Sequence, residues 1–168
     1  MPRSSAPDVR VSGLPPGQRE FRSLIRVAWE SSDDADYFYG FIAGYAKSMF
    51  TASIKDKIVL ASQELVENAL KYCLMTKPIV YELSVSTSEL RVSVENTTVA
   101  TRAMMLQEQL RRIERDAEGT FAAELERSMT GVGRRSMLGL ARVCHEAGMR
   151  IDASVAGGDV TVVASSRR

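Results

Sequence analysis

The most informative segment of the chain is Ala61-Ser62-Gln63-Glu64-Leu65-Val66-Glu67-Asn68-Ala69-Leu70-Lys71-Tyr72. At about 100° per residue, Glu64, Asn68 and Lys71 fall on one narrow stripe of a helix, together with Glu67. Apolar residues occupy the opposite arc. The stretch therefore predicts a helix whose apolar back packs on a core and whose polar front faces a ligand or solvent.

The polar front carries three different chemical groups, spaced about one turn apart. The Glu64 carboxylate can accept a proton, the Asn68 amide oxygen is a hard ligand suited to Mg²⁺, and the Lys71 ammonium can reach phosphate oxygens. The same spacing also fits a plain solvent-facing stripe, in which Glu67 and Lys71 form an i,i+4 salt bridge. The residues alone leave both interpretations open.

Outward from this helix, the hydrophobic pattern switches between the periods of strands and helices. Strands are predicted at 21–29, 79–86, 90–96, 149–155 and 160–164, and helices at 37–50, 51–75, 100–129 and 135–147. Gly119-Thr120 predicts a break in the third helix, and Gly157-Gly158-Asp159 predicts a hairpin. Proline-rich residues 1–18 predict a flexible leader before a single domain at 19–168. The order predicts an α/β domain built as an α+β two-layer sandwich, with one mixed sheet and helices on one face.

Composition limits the classes of function. The chain has 22 basic and 21 acidic residues and a net charge of +1, which gives no electrostatic case for nucleic acid as the main partner. No apolar run approaches the roughly 20 residues that span a bilayer, and the N-terminal residues lack the apolar core of a secretory signal. Cys73 and Cys144 lie far apart in apolar patterns, which predicts reduced thiols in a cytoplasmic protein.

The segment ASQELVENALKYC resembles the N-box of the GHKL superfamily. That superfamily has the Bergerat ATP-binding fold and includes histidine kinases, gyrase-type ATPases and anti-sigma-factor serine kinases. The likeness rests on the spacing E-x-x-x-N-A-x-K. It implies that Glu64 is the catalytic base, that Asn68 binds Mg²⁺, and that Lys71 lies near the phosphates of ATP.

Two further segments occupy the places of superfamily motifs. RVSVENTT stands where the superfamily has its adenine box; Asn96 aligns with the Asp that binds the adenine amino group, and Thr98 replaces a glycine. An amide still accepts a hydrogen bond but lacks the charge. Residues 131–140 resemble the second glycine box, in which backbone N–H groups cradle phosphates. The resemblance thus implies further cofactor-binding residues: Asn96, Thr98, Gly131, Gly133, Arg135 and Gly139.

Within the superfamily the chain is most similar to SiaB-type protein kinases, over about residues 20–166. This likeness implies an ATP- and Mg²⁺-dependent serine/threonine kinase that phosphorylates a small regulatory protein in a partner-switching pathway. The altered adenine box supports a second hypothesis, a catalytically degenerate module that regulates a partner by contact, and a small-molecule ATPase is a third. Met104, Met105 and the charges of 101–127 fit either a solvated lid or a homodimer or partner surface.

Overall fold

The computed structural model describes residues 8–11, 23–29, 35–130 and 138–168. Within these ranges the chain forms six strands and five helices. The strands are β1 (Asp8–Val11), β2 (Ser23–Trp29), β3 (Ile79–Val85), β4 (Glu89–Thr97), β5 (Arg150–Ala156) and β6 (Asp159–Arg167). The helices are α1 (Ala35–Met49), α2 (Ala52–Tyr72), α3 (Ala100–Arg115), α4 (Ala117–Thr130) and α5 (Leu138–His145).

The strands form one sheet in the order β1-β2-β3-β4-β6-β5. Every pairing between neighbouring described strands is antiparallel. The α+β two-layer sandwich is therefore confirmed, whereas the prediction of a mixed sheet is wrong for these strands. The reason lies in the connections: two helices link β2 to β3, so the chain re-enters the sheet at the end it left, and tight turns join the β3–β4 and β5–β6 hairpins.

β1 lies inside the segment that the sequence predicted to be a flexible leader. Its residues Asp8 to Val11 pair with Ala28 to Ile25 of β2 and extend the sheet at its edge. The leader prediction is therefore wrong for Asp8–Val11, and the rest of residues 1–18 lies outside the described residues. Four residues among prolines and glycines give too short a pattern to predict a strand.

The helical layer packs on one face of the sheet. A row of paired residues, Ile25, Leu83, Val92 and Ala164, shows the inward face, and each of these side chains is at most 1 % exposed. Each large apolar side chain buried in this way contributes about 1.5–3 kcal/mol. Residues between them on the strands point to the other face and are half-buried or exposed. None of the helices described is long and apolar enough to cross a membrane.

The charged helical segment divides three residues earlier than predicted. α3 ends at Arg115 and α4 begins at Ala117, so the predicted break at Gly119-Thr120 is wrong. Asp116 separates the helices, and its Oδ1 accepts a hydrogen bond from the Gly119 N–H at 2.8 Å. A short acidic side chain at a helix start satisfies such free N–H groups, which outweighs the low helix propensity of Gly119.

Ser62 and Tyr81 form a buried hydrogen bond between α2 and the sheet. Their hydroxyl oxygens are 2.8 Å apart, and burial raises the pKa of Tyr81 so that it stays protonated. Changing Ser62→Ala leaves the Tyr81 hydroxyl without this partner, and we expect a loss of about 1–2 kcal/mol in the free energy of unfolding, measured in urea. The double variant Ser62→Ala/Tyr81→Phe is expected to recover most of that loss. A neutral Ser62→Ala variant would contradict this account.

Candidate functional site

A cavity lies between the helical layer and the sheet, at the carboxyl-terminal end of α2. Its walls come from α2, the end of β4, β6 and the first turns of α3. Its volume is ≈ 60 Å³, several times the roughly 10–15 Å³ that one water molecule requires. The apolar part of its lining consists of Leu65, Ala69, Val94, Met105, Leu106, Val160 and Val162. The cavity is thus an apolar slot with a few polar groups at defined places.

Asn96 brings an amide into this slot from β4. Buried and exposed residues alternate along the strand, and Asn96 follows Val92 and Val94 on the face that is turned to the helices. Asn96 is 7 % exposed, yet its amide forms no hydrogen bond with the described part of the chain. The amide atoms of Asn96 are not among the fully buried side-chain atoms that lack a partner, so they keep accessible surface. The Asn96 amide is therefore available to a ligand.

Asn68 lines the same cavity from α2. It is half-buried, and its amide also lacks a hydrogen bond to any residue in the described ranges. Asn68 and Asn96 come from separate parts of the sequence and were both predicted to bind the cofactor. The structure brings these two residues together on one cavity.

Thr98 lines the cavity, but its hydroxyl already donates its proton to a backbone carbonyl. Thr98 Oγ1 donates to the Tyr72 carbonyl at 2.7 Å, and Arg102 Nη1 donates to the same oxygen at 3.1 Å. The Arg102 guanidinium also lies 5.7 Å from the centre of the Tyr72 ring. These contacts satisfy a carbonyl at the end of α2 that has no partner within the helix, and Thr98 retains only acceptor capacity for a ligand.

Sequence reasoning missed Arg102 and Tyr72 as lining residues of the cavity. The available signal was weak: Arg102 lies in the first turn of α3, and Tyr72 follows directly on the N-box-like segment. A cation in the first turn opposes the helix dipole, because that end carries partial positive charge. This unfavourable position is a reason to look for a second role for Arg102.

Glu64 points away from the cavity and towards α5. Its Oε1 is 2.6 Å from Nη1 of Arg142, and its side chain is 11 % exposed. Arg142 also contacts Glu146 through Nε and Nη2, at 3.1 and 3.2 Å. The carboxylate lies against Gly139, where an added Cβ would clash with Glu64 Oε2 and stand 3.0 Å from Cδ.

The surroundings raise the pKa of Glu64 above its ordinary value. Burial is the largest cause, and the negative charges of Glu67 and Glu146 add to it. The positive charge of Arg142 and its hydrogen bond act in the opposite direction. Burial also raises the pKa of Tyr39, and Glu67 and Glu64 raise it further. A carboxylate with a raised pKa is a stronger base than an ordinary one.

Lys71 is exposed and does not line the cavity. Its Nζ lies 5.5 Å from the centre of the Tyr72 ring. The alternative salt bridge with Glu67 is not formed in the described structure; Glu67 instead accepts a hydrogen bond from Gln63 at 3.1 Å. The polar stripe of α2 therefore divides: Glu64 faces α5, Asn68 faces the cavity, and Lys71 faces outward.

The glycine-rich segment is described only in part. Gly131, Gly133 and Arg135 lie outside the described residues. Gly139 is the second residue of α5, and a side chain at this position would displace the carboxylate of Glu64. In the described structure, Gly139 therefore serves the packing of α5 on α2.

A metal ion would find few protein ligands here. Within residues 8–11, 23–29, 35–130 and 138–168, no group of three or more His, Cys, Asp or Glu side chains is placed to hold one. The unpaired Asn68 amide oxygen is a suitable single ligand for Mg²⁺, which is commonly held by one or two protein groups together with substrate phosphates.

The arrangement can hold a flat apolar group between the aliphatic walls and bind its polar edge through two amides. Such slots, apolar with a few convergent polar groups, are typical of small-molecule sites. Among known proteins, no family model matches the chain and no curated protein is significantly similar to it.

Proposed function

We propose that this protein is an ATP- and Mg²⁺-dependent serine/threonine kinase of the GHKL type, acting on a small regulatory protein. The observation that carries this proposal is the pair of unbonded amides, Asn68 and Asn96, in one apolar cavity. The aliphatic walls suit a purine base, and an amide can bind its edge. Asn68 would hold Mg²⁺, which offsets the charge of the phosphates when bound.

In this proposal Glu64 acts on the hydroxyl group that accepts the phosphoryl group. The hydroxyl oxygen of a partner's Ser or Thr forms a bond to the γ-phosphorus, the bond from that phosphorus to the bridging oxygen breaks, and ADP leaves. Glu64 orients the hydroxyl and receives its proton. Glu64 precedes Asn68 by one helical turn, about 6 Å along the axis, so a Glu64 side chain that is released from Arg142 could turn towards the same substrate.

We propose that the remaining predicted residues bind the phosphates of ATP. Gly131 and Gly133 would supply backbone N–H groups, and Arg135 and Lys71 would supply positive charge. Lys71 would have to turn from the Tyr72 ring towards the phosphates, which its long flexible side chain permits. We propose the cytoplasm as the location, in keeping with the free thiols of Cys73 and Cys144.

One observation favours a second function, a non-catalytic module that regulates a partner by contact. The Glu64 carboxylate is held by Arg142 at 2.6 Å and faces α5. Arg142 opposes the uptake of a proton by Glu64, although burial outweighs this effect and the pKa of Glu64 is raised overall. In a kinase, binding of the acceptor protein would have to release Glu64 from Arg142; in a binding module the pair would stay closed.

Calorimetric titration with ATP tests nucleotide binding directly. We expect Asn68→Ala to weaken ATP binding about tenfold in the presence of Mg²⁺ and by much less in EDTA, because the amide oxygen acts through the ion. Gln63→Ala on the exposed side of the same helix is the matched control and should bind like wild type. The absence of any ATP binding to the wild-type protein would refute the proposal.

Phosphoryl transfer separates the two functions. With γ-labelled ATP and a cell extract, the kinase is expected to label a Ser or Thr of one protein, and Glu64→Gln should lower the rate about 10²–10⁴-fold. The Glu64→Gln protein should still bind ATP. A wild-type protein that binds ATP but labels nothing, in the presence of a partner that co-purifies with it, would support the contact-regulating module instead.

A further inference from the structure

The polar groups of the cavity have an unusual chemical character, because no carboxylate is among them. The polar residues that line it within the described structure are two amides, Asn68 and Asn96, the hydroxyl-bearing Thr98 and Tyr72, and the guanidinium of Arg102. A carboxylate only accepts hydrogen bonds, a guanidinium only donates them, and an amide does both. The cavity therefore offers donors as readily as acceptors.

This character bears on which base the slot prefers. The edge of adenine carries an amino group, a donor, at the 6-position. Guanine and hypoxanthine carry an oxygen, an acceptor, at the same position. An amide can meet either edge by exchanging the places of its oxygen and nitrogen. For Asn96 no hydrogen bond holds the amide in one orientation, so both orientations remain open to it.

Arg102 favours a base that carries an oxygen, rather than an amino group, at the 6-position. Arg102 Nη1 donates a hydrogen bond to the Tyr72 carbonyl, and the other N–H groups of the guanidinium remain donors. Thr98 donates its hydroxyl proton to the same carbonyl, and so adds no donor for the ligand. A donor-only cation in the lining of the cavity favours a ligand that presents an oxygen to it.

We infer that the cavity binds nucleotides whose base is a 6-oxopurine about as well as it binds adenine nucleotides. This inference rests on the proposed function, since it takes the cavity as the base site of a nucleotide. It depends on Asn96 in particular. A carboxylate at that position would accept from the adenine amino group and would repel the 6-oxygen.

Inosine triphosphate is the appropriate probe, since its base carries the 6-oxygen without the extra amino group of guanine. We expect the dissociation constants of the wild-type protein for ATP and inosine triphosphate in Mg²⁺ to agree within about threefold. Asn96→Asp should shift their ratio about tenfold towards ATP. Glu95→Gln, on the exposed side of the same strand, is the matched control and should leave the ratio unchanged.

The outcomes separate this inference from the proposed function. Wild-type dissociation constants for ATP and inosine triphosphate that differ by more than about threefold would overturn the inference and leave the kinase proposal standing. Binding of neither nucleotide would overturn both. If Asn96→Asp does not fold, as judged by its urea unfolding, the wild-type ratio still decides.

Discussion

Replacing Gly139 with alanine is expected to lower the free energy of unfolding by about 1–3 kcal/mol. The added Cβ would occupy the place of Glu64 Oε2. The Glu64 carboxylate, the end of a flexible side chain, must then shift, which disturbs the contact of its Oε1 with Arg142. A partly buried carboxylate without its counter-charge is costly, which outweighs the gain in helix propensity that alanine brings.

Gly40→Ala is the matched control for this change. Gly40 lies in α1 and is exposed, and nothing stands within 4 Å of a Cβ added there. We expect this variant to be more stable than wild type by about 0.5–1 kcal/mol, because alanine restricts the unfolded chain and favours the helix. Chemical denaturation of both variants under the same conditions shows whether the loss at Gly139 is specific to its contact.

A double-mutant cycle identifies the contact. In a Glu64→Ala background the carboxylate is gone, so the methyl group of Gly139→Ala has room. The cost of Gly139→Ala should then fall below about 1 kcal/mol. Equal costs in the two backgrounds would show that Glu64 is not the group that the added methyl displaces. The proposed contact between Gly139 and this carboxylate would then be wrong.

The fold could be predicted where periodicity extends over many residues. β2, α1, α2 and the two hairpins follow from runs of buried and exposed positions that local sequence displays directly. Where a boundary depends on a single hydrogen bond, the prediction fails. α2 ends at Tyr72 rather than near Met75, since Thr98 and Arg102 both bind the Tyr72 carbonyl from another part of the chain.

The candidate site could likewise be predicted from the sequence only in part. The helical stripe of α2 follows from spacing, and the inward orientation of Asn96 follows from the alternation along β4. The spacing does not predict which groups Glu64 and Lys71 contact, because those contacts depend on the elements that pack against α2. Arg142 is 78 positions beyond Glu64, and only the tertiary structure brings them into contact. Gly139, Arg142 and Glu146 share one face of a helix at i, i+3 and i+7, which is the one local signal for that surface.

The contact between Glu64 and Arg142 also predicts how stability depends on pH. The pKa of Glu64 is raised by burial above its ordinary value of 4.5, although Arg142 lowers it in part. A carboxyl group with a raised pKa binds its proton more tightly in the folded state. This group therefore contributes most to stability at low pH, and that contribution is lost as the pH rises through the raised pKa.

Arg142→Met removes the charge that opposes the effect of burial. The pKa of Glu64 should rise further, and at pH 7 the variant should be less stable than wild type by about 2–3 kcal/mol. This is less than the cost for a fully buried pair, because the Arg142 side chain is 37 % exposed. Towards pH 5, where more of Glu64 is protonated, the difference between the variant and wild type should shrink.

Two further variants assign this pH dependence to Glu64. Glu146→Gln breaks only the exposed i,i+4 contact on α5, and it should cost about 0.3–0.5 kcal/mol. In a Glu64→Gln background the effect of Arg142→Met should be small and should not change between pH 5 and pH 8, because the titrating carboxyl group is absent. Unfolding in urea across that pH range provides the measurement. A deficit of Arg142→Met that stays constant with pH would mean that Arg142 acts through packing of its side chain, and that the Glu64 charge is not what it holds.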